Sequence, residues 1–338
     1  MKYVLLTAFA VALCAAGAWC ASAAEPKKVP AAPAPTAGSP PAAEPKPAPA
    51  AKVEDSADWA YLDNGVIRLG VKKTSGACIG YLSASGSDRN IVNHFDQGRF
   101  IQQSYYGEKD DSMWAKKPWR WNPVQGGDWR GNPSKLLDFR TDAKTLYAKT
   151  QPKHWASGAD LPEVVMEEWI TLDGPVARIR YRMTYTGRTS HPATHQEIPA
   201  FFANPEFGTL VLYDGDKPWT GAPLSRYEPG KTNEGHRPTE NWAAYVDAKD
   251  FGAGAYVPIA RNLTCYRTGG VKNSDCSYFA MITTFAITPG LVFDYDLYLT
   301  IGTSSEIRAT FKRIHDAAPP RPSAGAAVSA FWRWVNHV

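Results

Sequence analysis

The stretch ARIRYRMTY, Ala177–Tyr185, alternates residue by residue. Ile179, Tyr181, Met183 and Tyr185 fall on one side, and Arg178, Arg180, Arg182 and Thr184 on the other. A period of two with one apolar and one charged face is the pattern of a half-buried antiparallel strand. A second alternating stretch, Leu291–Ile301, sets Phe293, Tyr295, Leu297 and Leu299 against Asp294, Asp296, Tyr298 and Thr300. If the two strands are neighbours, the acidic row satisfies the basic row. That pairing is the expectation. A groove for an anionic polymer is the competing use of the arginines.

Working outward, the same period recurs in Val66–Val71, Ile79–Leu82, Phe100–Tyr106 and Val164–Thr171, with Gly, Ser and Asn turns between them. Helix signals are few. Thr303-Ser304-Ser305-Glu306 reads as a capping box, followed by Ile307, Phe311 and Ile314 on one helical face. Ala326–Val335, with Phe331, Trp332 and Trp334, reads as a second short helix or a docked tail. The fold class expected is all-β: a large antiparallel sandwich with one or two short helices near the C-terminus.

The ends of the chain set its context. Residues 1–23 read as a secretory signal, with Lys2, an apolar run from Val4 to Ala16, and Ala21-Ser22-Ala23 as the cleavage site. Trp19 before Cys20 is too bulky for a lipidation motif. Residues 24–53 form a Pro/Ala-rich linker; Glu25 to Lys52 holds nine Pro and nine Ala, too little apolar surface to fold. Residues 54–338 are the folded domain. Its expected place is the periplasm or the extracellular space. The whole chain carries 37 Lys and Arg against 33 Asp and Glu, without a basic run, which argues against a nucleic-acid partner. Beyond the removed signal, no membrane partner is expected.

Of five cysteines, Cys14 and Cys20 leave with the signal. Cys265 and Cys276 flank Gly269-Gly270, and in an oxidising compartment they are expected to form a disulfide, contributing about 3 kcal/mol. Cys78 then remains as a buried small residue. No CxxC, HExxH or EF-hand spacing occurs, so the sequence announces neither a metal site nor a cofactor.

The stretch with the densest chemistry is Asn90–Trp129. It carries His94, Asp96, Arg99, Gln102, Tyr105 and Tyr106, together with Trp114, Trp119, Trp121 and Trp129. Hydrogen-bonding groups interleaved with flat rings suit a sugar, which offers hydroxyl edges to the former and C–H faces to the latter. Its bland alternative is a core strand followed by an aromatic loop.

Several segments carry a family resemblance: NGVIRLGV (64–71), SGACIGYLS (75–83), NHFDQGRFIQQSYYG (93–107), KPWRWNPVQGGD (117–128), HQEIPAFFANP (195–205) and TENWAAYV (239–246). Together they resemble galactose-mutarotase-like supersandwich proteins, within a group of secreted bacterial proteins associated with glycan breakdown. That resemblance implies a supersandwich acting on an oligo- or polysaccharide, with an arginine at the position of Arg99 facing the sugar. It supplies no catalytic residues, so these come from chemistry.

Glycoside hydrolysis needs two carboxyl groups. Glu197 enters an apolar strand, where burial raises its pKa toward an acid's role, and Glu240 stands beside Asn241 and Trp242. These two are the expected acid/base pair, with Asp96 as a third candidate that nearby Arg99 would otherwise neutralise. Substrate binding is assigned to His94, Arg99, Gln102, Tyr106, Trp119, Trp121, His195 and Asn241. Two alternatives stay open. One is a polysaccharide lyase drawing on His94, Arg99, Tyr105, Tyr106, His195 and Asn241; the other is glycan binding alone on the tryptophan platform. Glu167-Glu168 and Asp110-Asp111 are set aside, because adjacent strand residues face opposite ways.

Overall fold

A computed structural model describes residues 56–268 and 274–318. The signal, the linker, the Gly269-Gly270 turn and Ala326–Val335 lie outside these residues. Among them, two large antiparallel sheets of ten and nine strands face each other.

The first sheet runs, in spatial order, Trp59–Asp63, Ile67–Lys72, Cys78–Ala84, Ile101–Ser104, His191–Ala203, Cys276–Ile287, Asn262–Thr268 and Glu234–His236, with Pro123–Val124 branching from Ile101–Ser104 and Lys153–His154 pairing with that branch. The second runs Ser225–Tyr227, Thr209–Leu212, Trp242–Val246, Phe251–Tyr256, Val292–Thr303, Val176–Tyr185, Val164–Asp173, Thr145–Gln151 and Lys135–Thr141. Inward residues of both, among them Leu69, Ile79, Phe201 and Phe279 of the first and Ile179, Tyr181, Leu297 and Leu299 of the second, form one buried cluster. The all-β sandwich expected from period two is the fold observed.

The acidic and basic rows do meet. Strand Val176–Tyr185 pairs with Val292–Thr303 so that Arg180 lies opposite Asp296 and Arg182 opposite Asp294. Arg182 Nε donates to Asp294 Oδ1 at 2.8 Å, and Arg180 reaches both Asp294 and Asp296. The arginine row is thus a neutralised sheet face. The capping box also forms: Thr303 and Glu306 exchange side-chain to backbone bonds at the start of helix Ser304–Ala317. This helix packs Ile307 and Phe311 against Trp242 and Tyr256 on the outer face of the second sheet.

Between the sheets lies a buried carboxyl. Glu168, opposite Tyr181 on the neighbouring strand, is fully buried, while Glu167 points outward to the Tyr147 hydroxyl at 2.7 Å. Gln125 Nε2 donates to Glu168 Oε2 at 3.3 Å and to the Gly76 carbonyl at 3.1 Å. Gln125 Oε1 accepts from the Gln103 backbone at 3.1 Å, which ties this network to the first sheet. Burial pushes the Glu168 carboxyl up to about 8, with bonds from Gln125 and Tyr181 opposing the rise.

From about pH 4.5 to about 8 the folded chain therefore keeps a proton that the unfolded chain has released. Stability falls as pH rises through that window, by roughly 3–5 kcal/mol in total. Glu168→Gln, which mimics the protonated acid, is expected to be more stable than the parent at pH 8 and equal to it near pH 4.5. Urea denaturation at the two pH values checks this. Phe311→Ala is expected to cost about 3–5 kcal/mol at any pH, by emptying the contact between helix and sheet.

Candidate active site

The strand Ile101–Ser104 is buried on both faces, so its side chains divide by parity. Ile101, Gln103 and Tyr105 turn toward the inter-sheet core; Gln102, Ser104 and Tyr106 turn outward and line a cavity of about 180 Å³. The neighbouring strand His191–Ala203 carries a register shift between Glu197 and Ala200. A bulge there puts Glu197, Ala200 and Phe202 on the cavity face, while Ile198, Phe201 and Ala203 remain in the core. The next strands add Tyr278 and Tyr266, whose rings stand 4.5 Å apart.

The long loop between Ile101–Ser104 and Lys135–Thr141 provides the opposite wall. Trp114 packs edge-on against Trp119 at 4.8 Å and against Trp155 at 5.9 Å, and all three line the cavity. Trp155 closes in because Gly98 has no side chain: a Cβ there would stand 2.4 Å from the ring. Trp119 Nε1 donates to Asn122 Oδ1 at 3.2 Å, and Asn122 Nδ2 donates to Ser104 Oγ at 3.3 Å and to the Tyr105 carbonyl at 2.7 Å. The tryptophan wall is thereby fixed to the strand that forms the floor.

Glu197 is the carboxyl of this cavity. The Tyr106 hydroxyl donates to its Oε1 at 2.9 Å, and the Tyr278 hydroxyl donates to the same oxygen. Burial raises the Glu197 pKa above that of an ordinary carboxyl; the bonds from Tyr278, Tyr106 and Ser104 restrain the rise. Burial also drives both tyrosines well above their ordinary value, with the charge of Glu197 adding to it. The phenols therefore remain protonated: they can donate a proton and cannot serve as resting bases.

Arg99 brings a cation to the lining. Its ring-facing guanidinium lies 5.1 Å from the Phe202 centroid, and Nη2 donates to the Ser274 carbonyl at 3.2 Å. Asp96 sits just outside, its side chain 36% exposed and 3.8 Å from Arg99 Nη1. Its Oδ1 accepts the Gly98 N–H at 2.9 Å.

The cavity thus gathers Glu197, Arg99, Gln102, Tyr106 and Trp119 from the expected set. Gln102 has little left to offer a ligand, since its amide bonds the carbonyls of Gln97 and Arg99 and accepts from the Gly126 N–H at 2.7 Å. The other expected residues lie elsewhere. Glu240 is fully buried under the helix, where Arg308 grips both oxygens, Trp242 Nε1 donates at 2.8 Å and the Trp219 N–H at 2.6 Å. It is a saturated structural ion pair and shares no cavity with Arg99, so the Glu197–Glu240 pair is corrected. Asn241 holds the carbonyls of Pro258 and Ala260. Trp121 is buried and stacked on His191 at 4.2 Å. His94 packs on the edge of Trp59 at 5.4 Å, and His195 is exposed on its strand away from the lining. Trp129 bonds the Ala156 carbonyl at the outer surface, and Tyr105 belongs to the core.

The disulfide is corrected too. Cys265 lies opposite Phe279 and Cys276 opposite Thr268, so the two are offset by three residues along the ladder. Cys265 packs in the inter-sheet core and Cys276 in the cluster on the other face of the same sheet; both are free thiols. Cys78 is buried, as expected.

Sequence reasoning missed Ser104, Asn122, Trp155, Tyr266 and Tyr278. Parity from Gln102 through Tyr106 was signal enough for Ser104. Tyr278 could not be read, because its approach to Glu197 depends on a strand pairing across some eighty residues.

No family model and no curated protein matches the sequence. Solved structures similar to it include a galactose mutarotase-like protein from Lactobacillus casei, with 12% identity, a TM-score of 0.48, and coverage of 72% of this chain and 100% of that one. A galactose mutarotase related enzyme from Lactobacillus acidophilus gives 10% identity, a TM-score of 0.48, and coverage of 72% and 97%. A 4-alpha-glucanotransferase from Thermococcus litoralis gives 10% identity, a TM-score of 0.41, and coverage of 72% and 37%.

The Glu240–Arg308 pair generates its own test. Arg308→Ala strands a buried carboxylate and is expected to lower unfolding free energy by about 3–5 kcal/mol in chemical denaturation. Asp96→Asn, at the partly exposed rim, is expected to change it by less than about 1 kcal/mol.

Proposed function

We propose that the chain is a secreted carbohydrate-active enzyme that takes one sugar ring of an acidic glycan into this cavity and cleaves the chain by elimination. One observation carries the reading: among the described residues the lining holds a single carboxyl, Glu197, bonded by two protonated tyrosines and accompanied by the Arg99 guanidinium. The cavity of about 180 Å³ is smaller than the roughly 300–1,000 Å³ of sites for drug-sized ligands, which suits one ring over a long polymer segment. Secretion is supported by the signal-like residues 1–23 and by nothing further in the fold.

In this mechanism Arg99 pairs with the uronate carboxylate and draws charge away from the adjacent carbon. Ionised Glu197, made a stronger base by its raised pKa, takes the proton from that carbon. The bond between the next carbon and the bridging oxygen breaks, a carbon–carbon double bond forms, and a tyrosine hydroxyl protonates the departing oxygen. The tryptophan wall binds the apolar face of the ring. Proton transfer by a positioned group contributes about 10²–10⁴-fold.

A second reading, hydrolysis, is favoured by one observation: Asp96 stands at the rim beside Arg99 and would supply the second carboxylate. Product analysis on uronate-containing and neutral glycans separates the two. Elimination yields a product with near-ultraviolet absorbance, lost about 10²–10⁴-fold in Glu197→Gln and retained in Asp96→Asn. Reducing ends without absorbance, abolished by either substitution, would replace elimination by hydrolysis. Glycan retention without any product would leave a binding protein.

A further inference from the structure

The edge strand Glu234–His236 ends the first sheet, and Ser225–Tyr227 ends the second. Where these last strands meet, three residues with metal-binding chemistry converge. Glu234 and His236 are two apart on one strand and share a face, and Glu234 lies directly opposite Cys265 on the next strand. The carboxylate, imidazole and thiol ligand atoms all lie within 4.8 Å of one another.

Their hydrogen bonding is incomplete on the side where they face each other. Glu234 Oε1 accepts the Gly230 N–H at 2.6 Å, while Glu234 Oε2 is buried without a partner. His236 Nε2 is likewise buried and unpartnered. Native proteins seldom leave two such atoms side by side without a ligand, a water or an ion between them. The imidazole is held in place by the Tyr227 ring at 4.3 Å, and the Tyr227 hydroxyl is anchored on Asp214.

We propose that Glu234, His236 and Cys265 bind a divalent transition-metal ion of the zinc type through Oε2, Nε2 and Sγ. The sulfur and imidazole donors select against calcium and magnesium, which prefer all-oxygen shells. Donors at about 2.0–2.3 Å from one zinc stand roughly 3.3–3.8 Å apart, so closure takes a side-chain movement of about an ångström. On binding, the Cys265 S–H bond gives way to a metal–sulfur bond and the proton goes to solvent. Three protein ligands leave the fourth position to water. The ion would clip together the open edge of the sandwich. Asn233, the residue before Glu234, lines the cavity, so occupancy would also steady that part of its wall.

The test uses the full chain, stripped with a chelator and titrated with Co²⁺. The expected result is one equivalent bound, with visible bands of tetrahedral cobalt and a near-ultraviolet sulfur-to-cobalt charge-transfer band. Cys265→Ser should remove the charge-transfer band, and His236→Gln should weaken Co²⁺ and Zn²⁺ binding at least about tenfold. Because Cys265 is buried, Glu234→Gln on the edge strand serves as a second variant, with the same weakening expected and circular dichroism confirming the fold. Absence of cobalt bands in the parent chain would overturn the proposal. A charge-transfer band unchanged in Cys265→Ser, or affinity unchanged in both His236→Gln and Glu234→Gln, would do the same.

Discussion

Everything in the candidate site depends on one strand being buried on both of its faces. Ile101–Ser104 lies inside the first sheet, with the sandwich core on one side and the tryptophan loop on the other. Strict alternation then turns the Gln103 side chain inward, where Nε2 donates to the Glu167 carbonyl of the facing sheet, and assigns Ser104 to the cavity that holds Glu197. A slip of one residue would exchange these roles, placing Tyr106 in the core and Tyr105 in the cavity. The bulge after Glu197 performs the matching adjustment on the neighbouring strand. It lets Glu197 and Phe202, five positions apart, face the same way.

Two buried glutamates differ in what they meet, and the partner decides the outcome. Glu197 and Glu240 both sit beside aromatic rings, and in sequence they look equally suited to acid chemistry. Glu240 meets a guanidinium that neutralises it and fills its lone pairs. Glu197 meets only neutral hydroxyls, which bond the carboxylate without supplying charge. Desolvation therefore prevails at Glu197 and holds its carboxyl above the ordinary carboxylate range. Glu168 follows the same logic deeper in the core, where it is fully buried between the sheets.

What could be read from the sequence was whatever repeats locally. Ala177–Tyr185 announces its strand, the acidic row of Leu291–Ile301 announces its neighbour, and Thr303 with Glu306 announces the start of the helix, because each signal is complete within one short segment. Glu197, Arg99, Tyr106 and Trp119 were also legible, as polar and aromatic groups too close together for an ordinary surface loop. The errors all concern pairing at a distance. Arg308, which neutralises Glu240, arrives from 68 residues further on. Trp121 looks like its neighbour Trp119, yet the loop turns it onto His191, which arrives from 70 residues further on, in the interior.

The cysteines carry this reasoning furthest. Spacing in the chain suggested that Cys265 and Cys276 close a loop, but a ladder has both a register and two faces, and spacing specifies neither. An offset of three residues separates the two by roughly 10 Å along the strands. Because three is odd, it also places them on opposite faces. The same ladder, read one strand further toward the edge, sets Glu234 directly opposite Cys265. A thiol denied a disulfide by parity is, by that same parity, turned toward a carboxylate and an imidazole. The partner of Cys265 is therefore a matter of sheet order, which ties the sulfur to the open edge of the sandwich instead of to the nearest cysteine in the chain.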